Sequence, residues 1–550
     1  MSEIVRNSLI YRWGTRAAHT IHRWWESGLI ARGIAAVRNN YQKSCTRRIW
    51  EGWGNSRNRI EDSTYARFMH AVRRLFERIG DCLAQSVFYR FLLAIKLGYL
   101  RLSSHSKILS FINRISLRQW VLVAFALYLP INYVLKNVVS ISSLSAGWEE
   151  AFIIFAALLI IWRRALRQTD ALNRETALDA WLILFMAVGF LLMSIIDPYP
   201  AIAFEGYRAV VEYMVWFFLI IRLVENDQDM KVLYITVLLL TAFLAFHGIY
   251  QYVIGVEIPS SWVSQTEMGV RTRVFSLCGS PNILGSLMVM TAPLWAALIY
   301  FCRSTKAKLL ALFMTVCCCL TLLFTFSRGA WIGIVVAVVI FALFVDKRLL
   351  ALLGIAVAAI LAFVPSITSR LTYLFTSDYT AASTTGGRAI RWALGQELLH
   401  ENSPWLGFGL GRFGGAVAMN NQVLDTTEEF SYFYMDNYYL KTMVEMGYLG
   451  IIFYALLLIA LIVLGIKAIQ RSDVNFARLP GDPLQRAVGN YRVLTIAIFA
   501  GLCGVLAHCF FENIFEETYM EAYFWGLAGL MMYLGFFHKR RGNVQKNPPC

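Results

Sequence analysis

From about residue 119 the chain alternates long apolar runs with short polar connections, and the runs lack the two-residue alternation of a half-buried strand. They fall at 119–136, 149–162, 179–196, 208–221, 232–251, 282–302, 309–326, 329–345, 349–365, 447–466, 493–510 and 521–537. Each is long enough, or nearly so, to cross ~30 Å of hydrocarbon as a helix. The pattern predicts an all-α polytopic membrane protein with about 12 transmembrane helices over 119–538; the second and fourth runs are short. Two segments break the pattern. Residues 366–446 form one long connection between the ninth and tenth runs, and a loop of that length in a compact fold is usually functional. Residues 1–118 are basic and aromatic, and their one apolar stretch, Val87–Leu100, is interrupted by Arg90 and Lys96. That favours a helix lying in the membrane interface over a span; the alternative is a disordered basic tail.

Composition agrees. Of 550 residues 58% are hydrophobic and 16% charged, and the mean hydropathy is +0.53. Soluble domains carry roughly 45–50% apolar and about 25% charged residues, so this chain has too little polar surface for a water-facing body. The net charge of +16 is concentrated: residues 1–118 hold 21 lysines and arginines against 7 acids. The charge therefore reads as a cytoplasmic or interfacial segment facing anionic membrane lipids, with no nucleic acid as partner. Arg163, Arg164, Arg167 and Arg174, then Arg303, Lys306 and Lys308, then Lys347 and Arg348, and finally Lys467, Arg471, Arg478 and Arg486 mark alternate connections as cytoplasmic. Both termini, including a tail at 539–550, are then expected inside, and 366–446 outside. Residues 1–30 contain no apolar signal-peptide core. Six of the ten cysteines sit in or beside apolar runs and no C-x-x-C occurs, so neither a disulfide framework nor a metal site is expected.

The informative charges are arginines on the expected outer side, against the positive-inside bias. Arg271 and Arg273 precede the sixth run, Arg328 lies between the seventh and eighth, and Arg388, Arg391 and Arg412 lie in the long loop. A guanidinium fork suits phosphate or pyrophosphate; the plainer alternative is pairing with Glu397, Glu428 or Glu429, or contact with head groups. Glycines at 407, 409 and 411 could turn backbone N–H groups toward an oxyanion, or simply punctuate a loop. Asp436 stands where it either caps the following helix or serves as a general base. His508, one turn from Glu512, is a second candidate base, or a histidine hydrogen-bonded between helices. Tyr373, Trp405, Tyr432 and Tyr434 could anchor the loop at the interface.

These pieces together resemble the O-antigen ligase / surface polysaccharide polymerase superfamily of bacterial membrane proteins. The carriers are Arg271–Thr–Arg–Val–Phe–Ser276, Ser280–Pro–Asn–Ile–Leu–Gly285, Ser327–Arg–Gly–Ala–Trp331, Arg388 with Trp392, Pro404–Trp–Leu–Gly–Phe–Gly–Leu–Gly411, Asp436–Asn–Tyr–Tyr–Leu440 and Glu445–Met–Gly–Tyr–Leu–Gly450, spread over a core of 271–515. The resemblance implies a glycosyltransferase of the bacterial cytoplasmic (inner) membrane, needing neither cofactor nor metal. Its donor would be an undecaprenyl-pyrophosphate-linked glycan and its acceptor a sugar or lipid-linked glycan. It implies Arg328 and Arg388 as pyrophosphate ligands, with Arg271, Arg273 and Arg391 beside them, and Asp436 and His508 as catalytic candidates. It also implies sugar rings as alternative stacking partners for Tyr373, Trp405, Tyr432 and Tyr434. Ligases of the family commonly carry histidine where this chain has Asp436, which leans the reading toward a polymerase-like member. The alternative class is a multi-pass anion or solute transporter, which should place charges at mid-membrane depth.

Overall fold

The computed structural model describes residues 40 and 43, 64–87, 89–91, 93–94, 97–98, 101, 115–139, 142–166, 168–169, 174–196, 198–257, 272–363, 368–369, 372, 376, 388–422, 433–472 and 491–538. The chain divides into two compact units, Met1–Leu75 and Phe76–Cys550. Helix α1 (Thr64–Gln85) begins in the first. In the second, α2 (Leu117–Ala126), α3 (Tyr128–Val134), α4 (Ser142–Ala165), α5 (Ala177–Ile196), α6 (Pro200–Val211), α7 (Val215–Leu223), α8 (Asp227–Ile254), α9 (Pro281–Phe301) and α10 (Thr305–Phe324) come first. They are followed by α11 (Arg328–Phe344), α12 (Arg348–Phe363), α13 (Arg388–Glu401), α14 (Ala416–Asn421), α15 (Tyr438–Arg471), α16 (Tyr491–His508) and α17 (Thr518–Met532). No strand occurs among the described residues.

Each of the twelve apolar runs falls on a helix or a pair of helices, and the expected count of twelve spans is not confirmed. Among the described residues six helices are long and apolar enough to cross a membrane: α5, α8, α9, α10, α15 and α16. A seventh is reached if α2 and α3, bent by 71° at Leu127, form one span. Five runs remain outside that count, and the twelfth lies on α17, a helix of only 15 residues. Helix α4 is long but carries Glu149, Glu150, Arg163 and Arg164. The fourth run is broken into α6 and α7, and α11 and α12 are apolar but short.

Helices α9 and α16 are the centre of the bundle, each buried over 78% of its apolar window, whereas α10 is buried over 33%. Their rows of small residues allow this. A Cβ on Gly333 of α11 would lie 2.8 Å from the carbonyl of Gly504 in α16, so these helices meet at backbone distance, where packing and dipolar contact substitute for a hydrophobic drive. The rim helices turn large apolar side chains outward, as with Leu239, Phe243, Phe246 and Val253 on α8 and Leu309, Leu310 and Phe313 on α10. This is the surface that lipid covers.

The bundle has two charged ends. At one, Arg118 of α2 bonds Asp229 at 2.7 Å and pairs with Glu225, which Arg163 joins at 3.2 Å. At the other, the start of α9, the end of α10, the starts of α11, α13 and α15 and the end of α16 come together. That end holds the candidate chemistry.

Candidate functional site

The site is built on a break in α15. Gly447 has φ 66° and ψ −171° inside an otherwise helical stretch, a conformation essentially confined to glycine. A break orphans the carbonyls before it and the amides after it, and the loop 404–409 satisfies both. The amides of Phe408 and Gly409 donate to the carbonyls of Val444 (2.8 Å) and Glu445 (3.1 Å). Those of Tyr448 and Leu449 donate to the carbonyls of Pro404 (2.8 Å) and Trp405 (3.1 Å). A Cβ on Gly407 would lie 2.5 Å from the amide nitrogen of Gly447, so loop and helix interlock through two glycines.

Beyond the break the glycine-rich loop does bring N–H groups onto an oxyanion, and that oxyanion belongs to the chain itself. Glu445 Oε1 accepts from the amides of Gly411 (3.0 Å) and Phe413 (3.3 Å), and its Oε2 accepts from Lys441 Nζ at 3.0 Å. Glu516 joins the same lysine at 3.9 Å. The loop is thus held by an internal carboxylate, and a small second core of Phe408, Phe413, Met435, Leu440 and Val444 lies beneath it, with Trp392 packed against it.

Helix α13 supplies the next layer. Arg388, Arg391 and Trp392 share one face at i, i+3 and i+4, and all three reach Asp436. Arg388 Nε donates to Oδ2 at 2.7 Å, Trp392 Nε1 donates to Oδ1 at 2.9 Å, and Arg391 lies 3.9 Å from Oδ2. The same Arg388 guanidinium donates through Nη2 to the carbonyl of Phe511 at 2.9 Å, tying α13 to the turn after α16. Asp436 does not cap α15. The N-cap is Asn437, whose side chain accepts from the Leu440 amide at 3.0 Å. Both Asp436 oxygens are given to the arginine and the indole.

On the facing side, buried Arg273 donates through Nε to the Thr325 carbonyl (3.0 Å) and through Nη2 to Asn282 Oδ1 (3.2 Å). Asn282 passes the link on by donating to Glu512 Oε2 at 2.7 Å. Glu512 lies outside the spans, and its carboxyl is pushed up to about 7 by burial; Arg388 and Arg273 pull it down while Asp436 pushes it further up. His508 is 1% exposed, with its ring nitrogens 2.5 Å from Ser286 Oγ and 3.4 Å from Ser327 Oγ. Gly329 is what admits that ring, since a Cβ there would lie 2.5 Å from His508 Cδ2.

The structure therefore gathers Arg273, Arg388, Arg391, Asp436 and His508 at one end of the bundle. Arg328 is the first residue of α11, between Ser327, which faces His508, and Gly329, which packs on it. Arg412 is not in the group: it donates to the Phe408 carbonyl at 2.8 Å and lies over the Phe408 and Tyr199 rings. Arg271, Tyr373, Tyr432, Glu428 and Glu429 lie outside the described residues. Trp405 and Tyr434 are exposed. Glu512 and Asn282 were not singled out from the sequence as site residues; the signal available was the acidic connection Phe511–Glu521 following a buried histidine.

These features define an all-helical membrane protein with an arginine- and carboxylate-lined site at one end of its bundle. A family model described as O-antigen ligase matches residues 313–455, from within α10 to within α15. That region holds Arg328, α13, the glycine loop, Asp436 and the Gly447 break. It supports the O-antigen ligase/polymerase superfamily as the family of this chain and, with the apolar helices, a membrane glycosyltransferase-like ligase. No curated protein matches the chain.

Proposed function

We propose that the protein transfers a glycan from a lipid pyrophosphate carrier to an acceptor hydroxyl at the outer face of the bacterial cytoplasmic membrane, as a polymerase or ligase. The single observation that carries this reading is the arrangement around Arg388: Arg273, Arg388 and Arg391 held by carboxylates and carbonyls at one end of an apolar bundle. Pyrophosphate departs readily once its developing charge is neutralised, and fixed cations in a water-poor site do this without reorganising. In this reading Arg388, Arg328, Arg273 and Arg391 receive the pyrophosphate, with Arg271 joining from the adjacent segment. Asp436 and His508 belong to the same machinery, Asp436 by orienting Arg388 and Trp392 and His508 by ordering the serines of α9 and α11. Exposed Trp405 and Tyr434 offer faces for sugar rings. Aspartate at 436, where ligases commonly carry histidine, favours a polymerase-like acceptor, a second lipid-linked glycan. The segment 1–118 lies on the cytoplasmic leaflet, a reading supported by its basic charge and by exposed Val87, Phe91, Leu93 and Leu97 on described helical residues.

The test is the polymer. Arg328→Ala and Arg388→Ala should each abolish chain extension in cells while the protein still inserts and accumulates. Glycan of normal length from both variants would remove the pyrophosphate assignment.

A further inference from the structure

We infer that Glu512 is the group that takes the proton from the acceptor hydroxyl, a role that rests on the glycosyl-transfer reading above. Three carboxylate or imidazole groups stand near the arginines, and their geometry separates them. Asp436 has both oxygens committed, Oδ2 to Arg388 at 2.7 Å and Oδ1 to Trp392 at 2.9 Å. His508 is buried below the site, with each ring nitrogen facing a serine hydroxyl. Glu512 is partly exposed. Asn282 holds its Oε2 at 2.7 Å, and among the described residues Oε1 accepts no hydrogen bond.

Its neighbours fix where it points in the reaction. Arg388 holds the preceding carbonyl, that of Phe511, at 2.9 Å. Arg273 holds Asn282, the residue that orients Glu512. The carboxylate is thus linked to the two arginines assigned to the leaving group, and in this reading the acceptor hydroxyl, approaching the anomeric carbon opposite the pyrophosphate, meets Oε1. In the transfer step the acceptor oxygen bonds to the anomeric carbon and the bond from that carbon to the pyrophosphate oxygen breaks. The pyrophosphate leaves with the electron pair, and the hydroxyl proton passes to Glu512 Oε1. Burial among these partners also brings the carboxyl up to about 7, so it is basic enough to help near neutral pH and must be ionised to do so. The rate should therefore fall as pH drops through about 7. The charged groups that set this limb are Arg388 and Asp436 from α13 and the start of α15, and Arg273 from the segment before α9.

The experiment uses the full-length protein in lipid nanodiscs with undecaprenyl-pyrophosphate-linked oligosaccharide as both donor and acceptor, with kcat measured from pH 5 to 9 and donor binding measured separately. Glu512→Gln should lower kcat by ~10²–10⁴-fold, leave donor binding within a few-fold, and remove the acid limb. Glu512→Asp should keep a limb at reduced rate. Asp436→Asn supplies the discriminating arm. If Glu512 is the base, removing the Asp436 charge moves the remaining limb to lower pH; if Asp436 is the base, the limb disappears in that variant. The inference is overturned if Glu512→Gln retains the wild-type rate and limb, or loses donor binding in parallel with rate. Failure of the underlying reading looks different: wild-type protein that extends no glycan, or Arg388→Ala that extends it normally, removes glycosyl transfer itself.

Discussion

Arg388 joins two parts of the site through one side chain, Nε to Asp436 and Nη2 to the Phe511 carbonyl. That double role needs a planar fork; an ammonium is a compact point donor. Arg388→Lys is therefore expected to keep the charge yet lose at least about tenfold in kcat/KM for the donor, checked by chain-extension kinetics with donor varied below saturation. Trp392→Phe keeps the ring packing but removes the Nε1–H that Asp436 accepts. A hydrogen bond to a charged group contributes about 1.5–3 kcal/mol, and the loss should appear as a lowered melting temperature in detergent with a smaller effect on rate than Arg388→Lys. The arginines were legible in the sequence because they fall in connections expected on the outer side, against the positive-inside bias, and Asp436 because it stands just before a helix and within the motif that carries the resemblance. Glu512 was not, since an acid in an acidic connection reads like any solvated acid until Asn282 and the arginines are seen around it. The cap was likewise ambiguous: Asp436 and Asn437 are both capable caps, and only backbone geometry assigns the role to Asn437.

Among the elements, α15 and the glycine loop stand or fall together. A side chain at 447 would meet the Trp405 carbonyl and sit at φ 66°. Gly447→Ala is expected to cost more than the ~1–3 kcal/mol of backbone strain alone and to release the loop. Limited proteolysis at 404–415 and a drop in melting temperature would report it. Glu445→Gln probes the same joint from the other side. It keeps one acceptor for the Gly411 and Phe413 amides but leaves Lys441 beside a neutral amide. Removing one partner of a buried ion pair costs ~3–5 kcal/mol; Glu516, 3.9 Å away, should hold the loss near the lower end. The tenth apolar run begins at 447, the residue of the break, yet hydropathy carried no sign of a discontinuity there; the helix that precedes it from Tyr438 was expected only from the cap position at 436. The bend at Leu127 and the interruption between α6 and α7 left no mark either, because both lie inside apolar sequence.

For the molecule as a whole, the end of the bundle opposite the proposed site is a charge-paired clamp. Asp229 is fully buried and bonds Arg118 and Gln119 while also accepting from the amides at the start of α8. Arg118→Ala should destabilise the bundle by ~3–5 kcal/mol and leave the pH profile of transfer unchanged, a separation that thermal melts and kinetics on the same preparation would show. The proposed orientation is checked independently by reporter fusions. Alkaline phosphatase should be active after Asn421 and inactive after Ser472, and the reverse pattern would invert the topology.

The sequence by itself determined that this is a helical membrane protein, where its apolar runs lie, that its charge excess belongs to residues 1–118, and which arginines interrupt or flank those runs. These are one-dimensional properties: hydrophobic run length and local charge act within a few residues of each position. Only the tertiary structure decided which of those groups share a site. Arg273, Arg388, Asp436, His508 and Glu512 are separated by up to hundreds of residues and meet because α9, α11 and α16 pack at backbone distance and the loop locks into the break at Gly447. The same packing sets the working state of Glu512, since its basicity comes from burial and from Asp436 against the opposing pull of Arg388 and Arg273, and none of these is a property of the residue or of its neighbours in the chain.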